Sequence, residues 1–457
     1  MDPMVLDRAA GVLVASAAGD ALGVPYEFGP ATTDPSPVGG GLGGLAPGQW
    51  SDDTDMACAI TRVALTGADL RSEAALDAIA AGFHEWYATG PGDVGVQTRQ
   101  VLRISEPTAI STRAAALTVH ERNGRSAGNG SLMRTGPVAL AHLGDEAALI
   151  AAARTVSALT HVEPDAQDAC VLWCLAIRHA VLTGELDLRR GLPHVATVWR
   201  ERLDAAEKRE PNHFASSNGW VVSALQGAWS AVVRGDGLAD GLRRAVCGGG
   251  DTDTVAAIAG ALLGARYGAS AVPSRWRRSL HGWPGWRAGD LVRHAVTIVR
   301  GGPRTGVMTH PSADARTVMH PDDPGVRLGT VGALASHGSD AVVSLCRLGR
   351  EELQGPDHHE VCIVDRDDAN LDPASVLRDT AELIRDLRAD GLTVFVHCVH
   401  SHCRTPLTAA AYSALVTGSD HLTALHRVLA VLPMAMPRPS LVEAFLAADP
   451  TTKEVER

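Results

Sequence analysis

GGGDTDTVAAIAGALLGARYG, residues 248–268, decides how the first part of the chain folds. From Thr254 to Arg266, Val255, Ile258, Leu262 and Leu263 recur at three- and four-residue spacing, the period of a helix with a buried face. The polar turn GGGDTD places Asp251 and Asp253 at its N-terminal mouth. WSDDTDMACAITRVAL, residues 50–65, repeats the pattern and sets Asp52 and Asp53 at the mouth of a similar helix. Outward from these two, residues 1 to about 300 are a series of Ala/Leu/Val stretches at helical spacing, broken by Gly- and Asp-rich loops. That predicts an all-α domain over residues 1–300.

The whole chain has 457 residues, more than one core ordinarily holds, so two or three domains are expected. Hydrophobic residues at 45% and charged residues at 20% exclude a largely disordered or collagen-like chain. Aromatics are only 4%, so Ala, Val and Leu supply most of the packing. The net charge is −11, and Lys208 and Lys453 are the only lysines, which opposes non-specific binding to nucleic acid or an anionic membrane. No run of about 18 apolar residues is read, and the start, MDPMVLDRAAG, is acidic and mixed. A soluble protein without a membrane partner is expected. Eight cysteines without regular short spacing exclude a secreted disulfide framework and predict a cytoplasmic location.

Residues 301–325, GGPRTGVMTHPSADARTVMHPDDPG, lack apolar periodicity and read as a linker. Beyond it come short β-like runs at 341–346, 361–364 and 392–397, with a helical stretch at 374–389 before the last. This alternation predicts a small α/β domain over residues 326–457, ending in a frayed tail at Lys453–Arg457.

Asp52, Asp53 and Asp55 crowd together, as do Asp251 and Asp253, each group flanked by hydroxyls of Ser51, Thr54, Thr252 and Thr254. Crowded carboxylates repel unless a cation compensates them, and hard oxygen ligands suit Mg²⁺ or Mn²⁺. N-capping is the competing explanation for either cluster alone, since Asp, Ser and Thr are favoured caps.

The segments AAGDALGVPYEF (17–28), WSDDTDMA (50–57), GPGDVGVQTRQVL (90–102), GNGSLMRTGPVAL (128–140) and residues 248–268 occur in the order found in ADP-ribosylglycohydrolases. The chain resembles that family, including its dinitrogenase-reductase-activating type, over about residues 8–300. The resemblance implies an all-helical domain with two Mg²⁺ (or Mn²⁺) ions that cleaves the glycosidic bond between ADP-ribose and a protein side chain or small molecule. It implies Ser51, Asp52, Asp53, Asp251, Asp253 and Thr254 as metal ligands, with Ser51 where the family usually has threonine. Glu27 and Asp93 match the family's candidate acid or base, and the alternative between them stays open. Gly128, Asn129, Gly130 and Ser131 match its ADP-ribose loop, whose backbone N–H groups suit a pyrophosphate. His161 matches a histidine near the distal ribose. Cys170 and Cys174, four apart in an apolar run, read as buried core.

LTVFVHCVHSHCRTPLTAAAYSAL, residues 392–415, gives a strand ending at His397, then Cys398, five residues, Arg404, Thr405, and a helix with Pro406 in its first turn. Backbone amides and a helix dipole attract phosphate oxygens there, Arg404 can grip two, and a Cys398 thiolate can attack phosphorus. The segment resembles the cysteine-dependent tyrosine and dual-specificity phosphatases. That implies Cys398 as nucleophile, Arg404 as phosphate clamp, Thr405 easing thiolate departure, His397 orienting the loop, and Asp365 as general acid, with Asp367 and Asp368 as rivals. Ser401 stands where glycine is common in that loop, and oxidation is expected to join Cys398 to Cys403. The fold class expected is thus a multidomain chain, the all-α ADP-ribosylglycohydrolase-like domain followed by a small α/β cysteine-phosphatase-like domain. Its partners are expected to be an ADP-ribosylated and a phosphorylated substrate. Two rivals remain: an ADP-ribose sensor directing an active phosphatase, and an active glycohydrolase carrying an inactive phosphate-binding module.

Overall fold

The computed structural model describes residues 2–302, 314–348, 357–367 and 369–449. Residues 303–313 of the expected linker, Asp368 and the Lys453–Arg457 tail lie outside the described residues. The chain divides into two compact units, Met1–Val272 with Trp276–Arg304, and Thr305–Arg457 with Pro273–Arg275.

The first unit is helical apart from a two-stranded ribbon of His281–Gly282 with Trp286–Arg287. At its centre runs α1 (Pro3–Gly23), started by the Asp2 carboxylate accepting from Met4 N at 2.8 Å and by proline at the first position. By length and composition Pro3–Tyr26 is apolar enough to cross a membrane, which corrects the reading that no such run exists. The physical reason is burial: 89% of its most apolar window lies inside the protein, and a helix surrounded on every side has no polar face.

Two further helices matter most for the site, α2 (Asp52–Ala64) and α3 (Thr252–Tyr267). α1 and α3 touch backbone to backbone. A Cβ added to Gly264 would lie 2.0 Å from Gly11 O, one on Gly260 2.1 Å from Ala15 O, and one on Gly19 2.2 Å from Ala256 O. As numbers rise along α1 they fall along α3, so the two run antiparallel, and the end of α1 meets the start of α3. Glycine is required at these positions because no side chain fits between the backbones.

The second unit is a five-stranded sheet flanked by helices: β1 (Thr317–Met319), β2 (Val326–Thr330), β3 (Ala341–Ser344), β4 (His358–Glu360) and β5 (Val394–Cys398), with α4 (Pro373–Ala389) and α5 (Arg404–Thr417). The spatial order is β1-β2-β5-β3-β4, parallel except for β1 against β2. All five residues of β5 are buried, as its continuous apolar run requires of a central parallel strand. Three differences from the sequence reading stand out. Residues 361–364 form no strand, because after Val361 N donates to Ser344 O at 2.9 Å the chain leaves the sheet, and the strand is His358–Glu360. Thr317–Met319, inside the expected linker, is an edge strand of three residues, too short to show an alternating pattern. β2 contains Gly329, where a Cβ would lie 2.7 Å from the Phe395 ring, so its pattern is interrupted for a packing reason.

Candidate active site

The acidic groups of the helical unit converge where the mouths of α2 and α3 meet the end of α1. Their organiser is Asp20, on the last turn of α1 and fully buried. Its Oδ1 accepts from Ser51 N and Ser51 Oγ, both at 2.8 Å, and its Oδ2 from Thr54 N at 3.0 Å and Thr54 Oγ1 at 2.6 Å. Asp20 therefore does the capping of α2 from a distant part of the chain. Neither Ser51 nor Asp251 makes a side-chain cap bond to its own helix, which removes capping as a sufficient explanation of the clusters.

Carboxylate oxygens of Asp20, Asp53 and Asp253 lie within 4.8 Å of one another, as do those of Glu27, Asp251 and Asp253, so Asp253 belongs to both groups. Ser51 Oγ has one proton yet faces Asp20 at 2.8 Å, Asp53 at 3.1 Å and Asp253 at 3.4 Å. Thr254 Oγ1 stands 3.4 Å from Asp53 Oδ2. Buried Oδ1 atoms of Asp53 and Asp251 have no hydrogen-bond partner. An all-oxygen set with orphaned acceptors fits hard dications. Asp52 lies in neither group, and its Oδ2 accepts from Gly95 N at 3.0 Å.

Burial raises every one of these acids. It lifts Asp20 to about 6 against the pull of its four hydrogen bonds, and Asp52 to about 7 with the charge of Asp93 adding to it. Asp53 and Asp253 are pushed well above the carboxylate range by burial and by neighbouring carboxylates, and Asp251 is raised by burial. Glu27 is half-buried and reaches about 9, through burial first and then the charges of Asp93 and Asp251. Glu27 and Asp93 thus face each other at the rim. Phe28 holds the Glu27 segment in place: its N–H donates to Gly250 O at 2.7 Å, and its backbone adopts a left-handed φ of 47°.

The loop from Gly128 to Ser131 lies beside Asp251. Asn129 Nδ2 donates to Asp251 Oδ2 at 2.7 Å and to Asn218 O at 2.9 Å. Asn218 in turn accepts from Asp251 N at 3.0 Å and donates to Gly249 O at 2.9 Å, so two amides hold the α3 mouth. Ser131 is turned inward, with Oγ accepting from Ser157 Oγ at 3.0 Å, and His161 is buried against Gly128 and Gly130. Cys170 and Cys174 are buried. Asp20, Asn218 and Phe28 escaped the sequence reading. Only Asp20 left a signal, as the lone charged residue between Arg8 and Glu27 in an apolar run.

In the second unit Cys398 ends the central strand and Arg404 opens α5. Arg404 Nη1 donates to Leu345 O at 2.8 Å and Ile363 O at 3.3 Å, while Nε, 3.9 Å from Asp365, has no hydrogen-bond partner. Thr405 is fully buried and its hydroxyl is also unpartnered. Ser401 takes φ of 57°, the left-handed conformation glycine favours, and its Oγ donates to Gly329 O. His397 Nε2 meets Ser344 Oγ at 2.6 Å, which also meets His358 Nε2 at 2.7 Å, and His397 Nδ1 faces Cys398 O at 3.3 Å. Asp365 accepts from Arg438 Nε at 3.2 Å, and Asp367 from Ser440 Oγ at 2.6 Å. Burial pushes the Cys403 thiol up to about 12.

Two helix mouths sharing a buried carboxylate, beside a glycine–asparagine loop, define an oxygen-lined hydrolase-type centre in the helical unit. Residues 1–304 match the family described as ADP-ribosylglycohydrolase, and the chain belongs to that family. The ADP-ribosylarginine hydrolase Tri1 of Pseudomonas putida (strain GB-1) is 31% identical over 284 residues, 59% of this chain and 73% of that protein. The ADP-ribosyl-[dinitrogen reductase] glycohydrolase of Rhodospirillum rubrum is 30% identical over 293 residues, 61% of this chain and 92% of that protein. A solved structure titled ADP-ribosylglycohydrolase-related protein complex is 28% identical, covers 65% of this chain and 99% of its own, and superposes with a TM-score of 0.52.

Proposed function

We propose that the helical unit hydrolyses the glycosidic bond of ADP-ribosylated substrates, with an arginine side chain as the favoured aglycone, and that it does so with two bound Mg²⁺ or Mn²⁺ ions. The observation that carries this is the pair of carboxylate groups sharing Asp253, with Glu27 in one of them. The arginine preference rests on what the Pseudomonas putida relative is named for. Asp20, Asp53, Asp251 and Asp253, with the hydroxyls of Ser51 and Thr254, would hold the ions, which supply an activated water and orient the ribose hydroxyls. Glu27, whose protonated form burial favours, gives its proton to the leaving nitrogen as the C–N bond breaks. Asp93, facing it, takes a proton from the water that attacks the anomeric carbon and passes it to Glu27, which regenerates the acid. Asn129 and Asn218 keep Asp251 in place, and the Gly128–Gly130 backbone faces the pyrophosphate.

The test is release of free ADP-ribose from ADP-ribosylarginine and ADP-ribosylserine peptides in Mg²⁺ or EDTA. Metal-dependent release from the arginine peptide, lost in Asp253→Asn and lowered by about 10²-fold or more in Glu27→Gln, supports the reading. Tight ADP-ribose binding without release would make the unit a reader.

For the second unit we propose a cysteine-dependent phosphomonoesterase. The supporting observation is Cys398 at the end of the central parallel strand, joined by a five-residue loop to the unpartnered Arg404 Nε and Thr405 hydroxyl at the mouth of α5. Cys398 thiolate attacks phosphorus, the alcohol leaves with the proton of Asp365, and water then cleaves the phosphocysteine. Cys403, kept as a thiol, would join Cys398 only slowly at neutral pH, because the thiolate is the attacking species. Turnover of an aryl phosphate that vanishes in Cys398→Ser supports the assignment; none in wild type leaves a phosphate-binding module.

A further inference from the structure

Arg134 is the anomaly of the helical unit. It is 1% exposed, and among the described residues no carboxylate comes within ion-pair distance of it. Nη2 donates to Thr160 Oγ1 at 2.6 Å, Nη1 to Met56 Sδ at 3.3 Å, and Nε has no partner. Its Cζ lies 4.5 Å from the centroid of the Phe83 ring. A buried cation without a counter-ion is costly, so its retention in the core asks what it does there.

The answer lies in Thr160, which is fully buried. Its hydroxyl oxygen meets two polar groups, Arg134 Nη2 and the Nδ1 of His161, the latter at 2.7 Å. A guanidinium only donates, so the Thr160 oxygen accepts from Arg134 and its single proton goes to His161 Nδ1. A proton on Nδ1 would instead leave the buried Thr160 hydroxyl without an acceptor. His161 is therefore the neutral ring carrying its proton on Nε2. Burial and the charge of Arg134 both oppose a second proton. The Nε2–Cε1 edge lies against the glycine loop: a Cβ on Gly128 would come 3.2 Å from Nε2, and one on Gly130 3.1 Å from Cε1.

We propose that Arg134 and Thr160 are positioning residues that lock His161 as a neutral Nε2–H donor behind the Gly128–Gly130 loop, presenting a fixed donor to an oxygen of the ADP-ribosyl group. The chain Arg134, Thr160, His161 fixes the direction of its own two hydrogen bonds, from the guanidinium through the hydroxyl to Nδ1 of the ring. It rests on the proposed function for the identity of the ligand, but the ring's tautomer does not.

The experiment is long-range ¹H–¹⁵N NMR of the full chain labelled at histidine, with His161 among the 19 histidines assigned by the signal missing in His161→Gln. The expected spectrum is an Nε2–H ring with a bare Nδ1, unchanged between about pH 6 and 8. Thr160→Val keeps the shape and removes the hydroxyl; it should mix the tautomers and weaken ADP-ribose binding about tenfold, the worth of one hydrogen bond, while Thr160→Ser restores both. An Nδ1–H or doubly protonated ring in wild type overturns the proposal. So does a Thr160→Val protein with a pure Nε2–H ring and wild-type affinity. If Thr160→Val does not fold, the wild-type spectrum still decides. A wild type that binds no ADP-ribose sinks the proposed function and leaves the tautomer to be read independently.

Discussion

Metal binding to the helical unit should be driven by proton release, and so should strengthen with pH. Without metal, burial pushes Asp20 up to about 6 and Asp52 to about 7, and burial and mutual repulsion raise Asp53 and Asp253 well above the usual carboxylate range. The folded, metal-free protein then holds protons that the unfolded chain, with ordinary aspartates, has already lost by pH 6. The sign follows: a raised carboxyl favours the folded state at low pH, and that contribution is lost as pH rises through the folded value. A dication reverses this by stabilising the ionised carboxylates, and each proton it displaces changes its binding free energy by about 1.4 kcal/mol per pH unit. One proton displaced per ion between pH 6 and 8 amounts to about 3 kcal/mol, or roughly hundredfold in affinity. The assay is Mn²⁺ titration calorimetry at pH 6, 7 and 8, each in two buffers of different ionisation enthalpy. Groups lowered elsewhere, such as Asp69 at about 2, stay ionised throughout and do not contribute. An affinity that is flat with pH, with equal heats in the two buffers, would refute the reasoning, since it would mean that the carboxylates are ionised before any ion arrives.

Other perturbations follow from the same geometry. Asp20→Asn leaves one oxygen, able to accept from Ser51 or from Thr54 but not from both, and removes a charge from the Asp20–Asp53–Asp253 group, so Mn²⁺ affinity measured by calorimetry should fall at least about tenfold. Gly264→Ala drives a methyl to 2.0 Å from Gly11 O and should cost about 2–3 kcal/mol in urea unfolding of the helical unit, with metal affinity lowered as α1 and α3 separate. Ser401→Gly relieves a left-handed backbone but gives up the bond to Gly329 O; the two effects are each about 1 kcal/mol, so stability should change by less than that, checked by thermal unfolding.

What could be read from the sequence was whatever is periodic or local. The helices of the first unit announce themselves because one residue in three or four must face the core, and the aspartates at their mouths lie within a few positions of each other. β1 could not be read, since an edge strand of three residues, held by backbone bonds to β2, is too short to show an alternating pattern. The amides that fix Asp251 come from Asn129 and Asn218, separated from it by 122 and 33 positions, and no local pattern marks such a pair. Asp20 is the intermediate case. A carboxylate alone in an apolar helix must have a partner, but which partner is a question only the packing answers.

That packing shows why a composition poor in aromatics suits this centre. Ala and Gly along α1 and α3 let two backbones meet with nothing between them, and Gly23 faces the Asp253 backbone so closely that a Cβ would lie 2.4 Å from its Cα. The contact fixes the end of one helix against the mouth of the other, and carboxylates 233 positions apart, Asp20 and Asp253, come within 4.8 Å. A larger side chain anywhere along that seam would separate the helices and, with them, the two groups that share Asp253. The small residues of the seam are therefore the cause of the site, and a substitution there is expected to weaken metal binding without touching a ligand.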